Sequence, residues 1–112
     1  RPPAEIEGGA GGTAVLAGEA RVLTADGTDV TAAFLAGAHA ALKAAQENDI
    51  RIAILKEGSP SCGSLRIYDG RFRGVSVSGS GVTTALLESH GITVYGEDRI
   101  SDAARHLERL EG

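Results

Sequence analysis

Residues 51–55, Arg51-Ile52-Ala53-Ile54-Leu55, carry the clearest strand pattern in this sequence. Four consecutive apolar residues, two of them β-branched, are typical of a strand buried on both faces. The segment Lys56-Glu57-Gly58-Ser59-Pro60-Ser61-Cys62-Gly63 follows directly and holds the only cysteine of the chain. We call residues 56–63 the Cys62 loop. Because open α/β sheets bind ligands at the carboxyl ends of their strands, this loop is the first candidate for a functional site.

A helix is predicted ahead of this strand, because apolar residues recur there at intervals of three and four. The stripe consists of Val30, Ala33, Phe34, Gly37, Ala38, Ala41, Leu42 and Ala45. Asp29 is expected to cap its first turn, and Asn48 is expected to end it in the left-handed conformation. Since small residues dominate the stripe, the helix should pack close to its sheet.

The second half of the chain alternates between strand and helix patterns. A turn is predicted at Asp69-Gly70, between residues 65–68 and Phe72, and a strand or flap over 74–81. A helix over 82–89 is expected to end at Gly91 and to be followed by a strand over 92–95. Ser101 is expected to cap a last helix, whose apolar side consists of Ala104, Leu107 and Leu110. An order of helix, strand, helix, strand, helix indicates parallel strands joined by crossovers.

The first quarter is poor in strand residues. Residues 1–13 are expected to form a flexible, glycine-rich opening segment with no helix after its glycines, and residues 14–16 and 20–23 to form a hairpin or bend about Gly18. The sequence therefore predicts a single α/β domain over 1–112, a Rossmann-like layered sheet with mainly parallel strands. That sheet is expected to lack its N-terminal strand, so the chain is interpreted as a piece of a longer protein.

Composition excludes several classes of function. The formal net charge is -4, and the chain has no tryptophan and only four other aromatic residues. This argues against a basic nucleic-acid footprint and against stacking platforms for single strands. Local contact with an anionic substrate stays an alternative, because three arginines lie close together in the sequence: Arg66, Arg71 and Arg73. No apolar run approaches the ~18 residues of a membrane span. A single cysteine forms no internal disulfide, which favours a cytoplasmic location.

The residues alone leave the role of Cys62 open. A lone cysteine is commonly a buried small hydrophobe, although the small polar neighbours here also suit a reactive thiol. One alternative is a cysteine hydrolase, but His39, His90 and His106 lie on predicted helices, where surface or capping roles are common. The cysteine and histidines do not have the spacing of zinc ligands. The alternative that Cys62 is one ligand of a metal cluster, with the other ligands elsewhere, is left open.

A second alternative is a non-catalytic binding module for small molecules or anions. Gly79-Ser80-Gly81 leads into the helix predicted over 82–89. A helix start presents free N–H groups, and these, together with the Cys62 loop, suit a phosphate or carboxylate. The segment matches neither the phosphate-loop nor the dinucleotide fingerprint.

Nearly the whole chain resembles a bacterial family long described as a domain of unknown function and now associated with 2-thiouracil desulfurase (desulfidase) activity. The most specific element is Ser59-Pro60-Ser61-Cys62-Gly63. The other matching segments are 1–6, 24–31, 54–56, 67–70 and 81–87.

The resemblance implies a [4Fe-4S] cluster held by three cysteines, with the fourth iron open to sulfur from a thiolated pyrimidine. It implies that Cys62 is the last cluster ligand. Ser59, Ser61 and Lys56 are then the candidate catalytic residues, and Gly63, Ser80 and Gly81 the candidate substrate-binding residues.

The sequence departs from the family pattern at its start. Family members carry a Cys-Leu-x-Gly type element and a Cys-Pro-Glu element ahead of the Arg-Pro-Pro stretch, whereas this sequence begins at Arg1. We therefore expect the parent protein to be an iron–sulfur-dependent desulfurase acting on thiolated uracil or thiouridine, and this chain alone to hold no intact cluster and to be inactive. The acidic charge favours a small base or nucleoside over tRNA. A homo-oligomer is left open.

Overall fold

The computed structural model describes residues 2–112. The strands are β1 (Ala4–Ile6), β2 (Val22–Thr24), β3 (Ile52–Leu55), β4 (Arg66–Tyr68), β5 (Ser76–Ser78) and β6 (Thr93–Gly96). The helices are α1 (Gly12–Leu16), α2 (Thr31–Glu47), α3 (Val82–Ser89) and α4 (Ile100–Glu111), with short 3-10 turns at Glu7–Gly9 and Glu97–Arg99.

The six strands form three pairs. β3 and β6 are parallel, in a register that runs from Ile52 opposite Thr93 to Leu55 opposite Gly96. β1 pairs with β2 and β4 pairs with β5, both antiparallel. The predicted α/β class is confirmed, and β3 of the parallel pair leads into the Cys62 loop. The predicted burial of β3 is wrong, because none of its four residues is fully buried and Ile54 is 48% exposed.

The helix predicted before β3 is confirmed as α2. Its stripe buries Ala38, Leu42 and Ala45, and the carboxylate of Asp29 accepts a 2.9 Å hydrogen bond from the backbone N–H of Thr31. The predicted left-handed conformation of Asn48 is wrong, because its φ is -110°. The next residue, Asp49, takes the positive φ of 52° that turns the chain toward β3.

The predictions for the first quarter need correction. The segment predicted as a glycine-rich loop contains β1 and runs into α1, and residues 14–16 are helical rather than half of a hairpin. β2 pairs with β1, so the strand partner lies further toward the N-terminus than predicted. Close packing explains the glycine that begins α1, since a Cβ on Gly12 would lie 2.8 Å from the Cα of Val82 and closer still to the carbonyl of Gly81.

Two predictions in the second half also change. β4 pairs with β5, and not with the residues directly after the Asp69-Gly70 turn as predicted. Phe72 lies in the connection between the two strands and has a φ of 56°. Ser101 does not cap α4, because the 3-10 turn Glu97–Arg99 feeds directly into Ile100. α4 is buried through Ala103, while Leu107 and Leu110 remain about half exposed along a groove beside β3.

Helix α3 lies at the centre of the fold. All six residues from Val82 to Leu87 are buried, and the helix packs against both α1 and α2. Its N-terminus therefore sits inside the molecule, beside the Cys62 loop. Among the described helices, none is both long enough and apolar enough to cross a membrane.

Candidate functional site

The Cys62 loop folds on itself directly after β3. Cys62 is half-buried. Its backbone N–H donates a 2.7 Å hydrogen bond to Ser59 Oγ, and the N–H of Gly63 donates to the carbonyl of Ser59 at 3.0 Å. The Cys62 thiol lies 3.6 Å from Ser61 Oγ. The structure thus brings the two predicted serines to the cysteine.

The loop caps the N-terminus of α3. Four backbone N–H groups at that end donate hydrogen bonds to carbonyl oxygens of the loop. The N–H of Gly81 donates to Gly63 and that of Val82 to Pro60, both at 2.8 Å. The N–H groups of Thr83 and Thr84 both donate to Ser61, at 2.8 and 3.3 Å. The helix N–H groups predicted to be free for an anion are therefore occupied by the protein itself. The binding-module hypothesis loses the feature on which it was based.

Two buried threonines anchor the loop from the helix side. Thr83 Oγ1 and Ser61 Oγ are hydrogen-bonded at 2.8 Å, and Thr84 Oγ1 donates to the carbonyl of Cys62 at 3.0 Å. These threonines were not among the predicted site residues. Adjacent hydroxyls in an otherwise apolar helix were the available indication, because a buried hydroxyl needs a hydrogen-bond partner.

Glu57 closes the loop at its base. Its carboxylate accepts hydrogen bonds from the Ser64 hydroxyl at 2.6 Å and from the backbone N–H groups of Ser64, Leu65 and Arg66 at 2.8, 3.1 and 3.1 Å. Burial opposes its ionisation, but these hydrogen bonds outweigh burial and lower the pKa to about 2. No local sequence pattern predicts this role, because only the folded loop brings residues 64–66 back to residue 57.

The candidate substrate-binding glycines have tight surroundings. A Cβ on Gly81 would lie 2.7 Å from the backbone nitrogen of Cys62, and a Cβ on Gly63 would lie 3.0 Å from the side chain of Ile67. The N–H groups of both glycines already donate within the site. Ser80 is half-buried, and its carbonyl accepts from the N–H of Gly12 at 2.7 Å. A substrate-binding role for these three residues stays a prediction.

The nearby cations differ in their surroundings. Lys56 is exposed at the end of β3, directly before Glu57. Arg66 donates to Ser76 Oγ at 3.0 Å, and Arg73 forms an ion pair with Asp69 at 2.8 Å. Lys56, the first residue of the Cys62 loop, is the cation predicted to be catalytic, and its role also stays a prediction.

The histidines do not support a cysteine hydrolase. His39 and His90 are exposed, and His106 is hydrogen-bonded to the hydroxyl of Tyr95 at 3.1 Å. Within residues 2–112, no histidine is hydrogen-bonded to the Cys62 sulfur. A thiol nucleophile needs such a base, so the structure does not assemble the pair that this alternative requires.

The donor set fits a single cluster ligand. In the part of the chain that the structure describes, no group of three or more His, Cys, Asp or Glu side chains is placed to hold a metal ion. Iron–sulfur clusters in proteins are held mainly by cysteine thiolates, and this chain has one thiol. Its residues thus fit the contribution of one ligand and do not fit a complete cluster site.

The sequence and the fold of this chain are similar to those of known proteins. A family model described as 2-thiouracil desulfurase matches residues 1–99. The uncharacterized protein YbbK of Bacillus subtilis (strain 168) is 49% identical over 102 residues, which cover 91% of this chain and 67% of YbbK. The solved structure of the [4Fe-4S]-dependent thiouracil desulfidase TudS is 51% identical, with a TM-score of 0.84 over 96% of this chain and 64% of TudS. The chain belongs to the 2-thiouracil desulfurase family.

Proposed function

We propose that this chain forms part of an iron–sulfur-dependent desulfidase that removes sulfur from thiolated uracil or thiouridine. The observation that carries the proposal is the half-buried thiol of Cys62 at the carboxyl end of β3, with Ser61 Oγ beside the sulfur and Ser59 Oγ bound to the backbone N–H of the same residue. The 51% identity to the [4Fe-4S]-dependent desulfidase TudS supports it. In this proposal Cys62 supplies one cluster ligand, and further ligands come from residues outside this sequence.

A cluster with one iron free of protein ligands supplies a Lewis acid with affinity for soft sulfur. The residues of this chain orient the reacting groups around it. The hydrogen bond from the Cys62 N–H to Ser59 Oγ fixes the backbone that carries the thiol. Ser61 Oγ lies 3.6 Å from the sulfur and is steadied by Thr83. Because one hydroxyl is beside the sulfur and the other binds the backbone of the same residue, we propose that both line the substrate pocket.

Lys56 completes the proposed set. Its ammonium group is exposed at the strand end that leads into the loop. A positive charge there suits the exocyclic oxygen or a ring nitrogen of a pyrimidine, which becomes more negative when water adds to the thiocarbonyl carbon, before the carbon–sulfur bond breaks and its electron pair leaves with sulfur. We propose Gly63, Ser80 and Gly81 as the backbone wall of the same pocket.

The substrate is proposed to be a small base or nucleoside. The net charge of -4 and the absence of tryptophan do not suit the long phosphate backbone and unstacked bases of tRNA. We also propose a cytoplasmic location, since a free thiol persists in a reducing compartment.

The test is anaerobic expression of the parent protein, with measurement of bound iron, of the visible absorbance of the cluster and of sulfide released from 2-thiouracil. We expect a coloured protein that releases sulfide, and the Cys62→Ser variant should lose iron and colour. Ser101→Ala, at an exposed site on α4, serves as the control and should retain both. A colourless, inactive parent contradicts the proposed function, and unchanged iron content in Cys62→Ser contradicts the ligand role.

A further inference from the structure

The carboxylate of Glu57 ties the beginning of the Cys62 loop to the chain that leaves it. One oxygen accepts from three successive backbone N–H groups, those of Ser64, Leu65 and Arg66, and the other accepts from the Ser64 hydroxyl. These contacts join residue 57 to residues that follow Cys62, so the loop is closed around the cysteine.

Only a carboxylate meets all of these donors well. Its two oxygens offer about four acceptor sites, and hydrogen bonds to an ionised acceptor are roughly twice as strong as neutral ones. The fold also reserves space for this group at the end of β6. Gly96 is buried there, and a Cβ on it would lie 2.6 Å from Glu57 Oε2. The strand pairing places Gly96 opposite Leu55, two residues before Glu57.

The tip of the loop is held separately. The N–H groups at the start of α3 donate to carbonyls of Pro60, Ser61 and Gly63. Glu57 thus holds the base of the loop, while α3 holds its tip. Because the tip is attached to a buried helix, the mobility of the loop around Cys62 depends on the hydrogen bonds of Glu57 at its base.

We propose that Glu57 is a positioning residue that fixes the Cys62 loop and thereby where the Cys62 sulfur is presented. Its meaning for catalysis rests on the proposed function, whereas the positioning itself is a property of this chain without a cluster. Loss of the carboxylate should free residues 62–66 to move and expose the half-buried thiol.

The test uses the 112-residue chain without iron and compares Glu57→Ala and Glu57→Gln with the wild type. The readouts are the alkylation rate of Cys62 by iodoacetamide at fixed pH and the hydrogen exchange of backbone amides in residues 62–66 and in α2. In Glu57→Ala we expect both the alkylation rate and the exchange of 62–66 to rise on the order of tenfold, with α2 unchanged. Glu57→Gln keeps one carbonyl acceptor and should fall between, as a partial rescue. Glu88→Gln removes an exposed carboxylate from α3 and is the matched control.

Wild-type alkylation and exchange in a folded Glu57→Ala variant would overturn the proposal. An equal rise of exchange in α2 would also overturn it, because it would show a general loss of stability. If Glu57→Ala does not fold, Glu57→Gln and Ser64→Ala carry the same comparison. Since no cluster is involved, these results are independent of iron binding by the parent protein, and failure of one proposal is distinguishable from failure of the other.

Discussion

Thr84 Oγ1 donates a 3.0 Å hydrogen bond to the backbone carbonyl of Cys62. Thr84 is fully buried in the first turn of α3, and Cys62 lies at the end of the loop that follows β3. The side chain of a core helix therefore holds the backbone of the candidate ligand directly. The position of the thiol is coupled in this way to the stability of the core.

Thr84→Val tests this coupling. Valine has nearly the same shape but no hydroxyl, so the Cys62 carbonyl loses its donor. We expect the free energy of unfolding, measured by urea denaturation, to fall by about 1–3 kcal/mol. Thr13→Val, at an exposed position of α1, should change it by less than about 0.5 kcal/mol. Equal effects at the two positions would show that the buried hydrogen bond contributes nothing particular.

Gly81→Ala tests the close approach of α3 to the loop. A Cβ at this position would meet the backbone of Ser61 and lie 2.7 Å from the Cys62 nitrogen, so the loop must shift. We expect a destabilisation of about 1–3 kcal/mol, together with a changed rate of Cys62 alkylation. Gly37→Ala provides the contrast, since a Cβ there meets nothing within 4 Å and alanine favours a helix. Thermal denaturation should show a lower Tm for Gly81→Ala and a higher one for Gly37→Ala.

The pKa of Glu57 predicts how stability depends on pH. The folded-state value of about 2 lies below the ordinary 4.5, so protonation favours the unfolded chain. The stability that Glu57 contributes is complete above pH 4.5 and is lost as the pH falls from 4.5 toward 2. Urea unfolding across this range should show the advantage of the wild type over Glu57→Gln shrinking. A constant difference between the two proteins would contradict a depressed pKa.

Lys56→Gln tests the proposed catalytic cation in the parent protein. If Lys56 stabilises negative charge on the pyrimidine, its loss should lower sulfide release from 2-thiouracil on the order of 10²-fold. Bound iron should stay unchanged, because lysine is not a cluster ligand. Lys43→Gln, at an exposed position on α2, is the matched control and should behave as wild type. Undiminished turnover in Lys56→Gln would remove this residue from the mechanism.

Local pattern was sufficient for the longer elements. α2 and α3 were predicted from apolar periodicity, and β3 and β6 from short apolar runs, although β3 is not buried as predicted. These features depend on residues close together in the chain. The family resemblance, confirmed by the family model over residues 1–99, indicated the desulfurase assignment that spacing alone left open.

Pairing and packing between distant segments were beyond local pattern. The pairing of β1 with β2 and the helical start at Gly12 depend on contacts with segments far along the chain, including α3. The same applies inside the site. A glycine-led helix start predicts free N–H groups, and only the folded chain shows that the loop carbonyls already occupy them.

Sequence alone thus determined that a thiol preceded by two serines follows an apolar strand, because an apolar run and a polar loop are properties of neighbouring residues. Tertiary structure decided what holds that thiol. Glu57 reaches residues 64–66, and Thr84 reaches the carbonyl of Cys62 from 22 positions away. Hydrogen bonds of this kind form only when folding has brought their donors and acceptors within about 3 Å of each other.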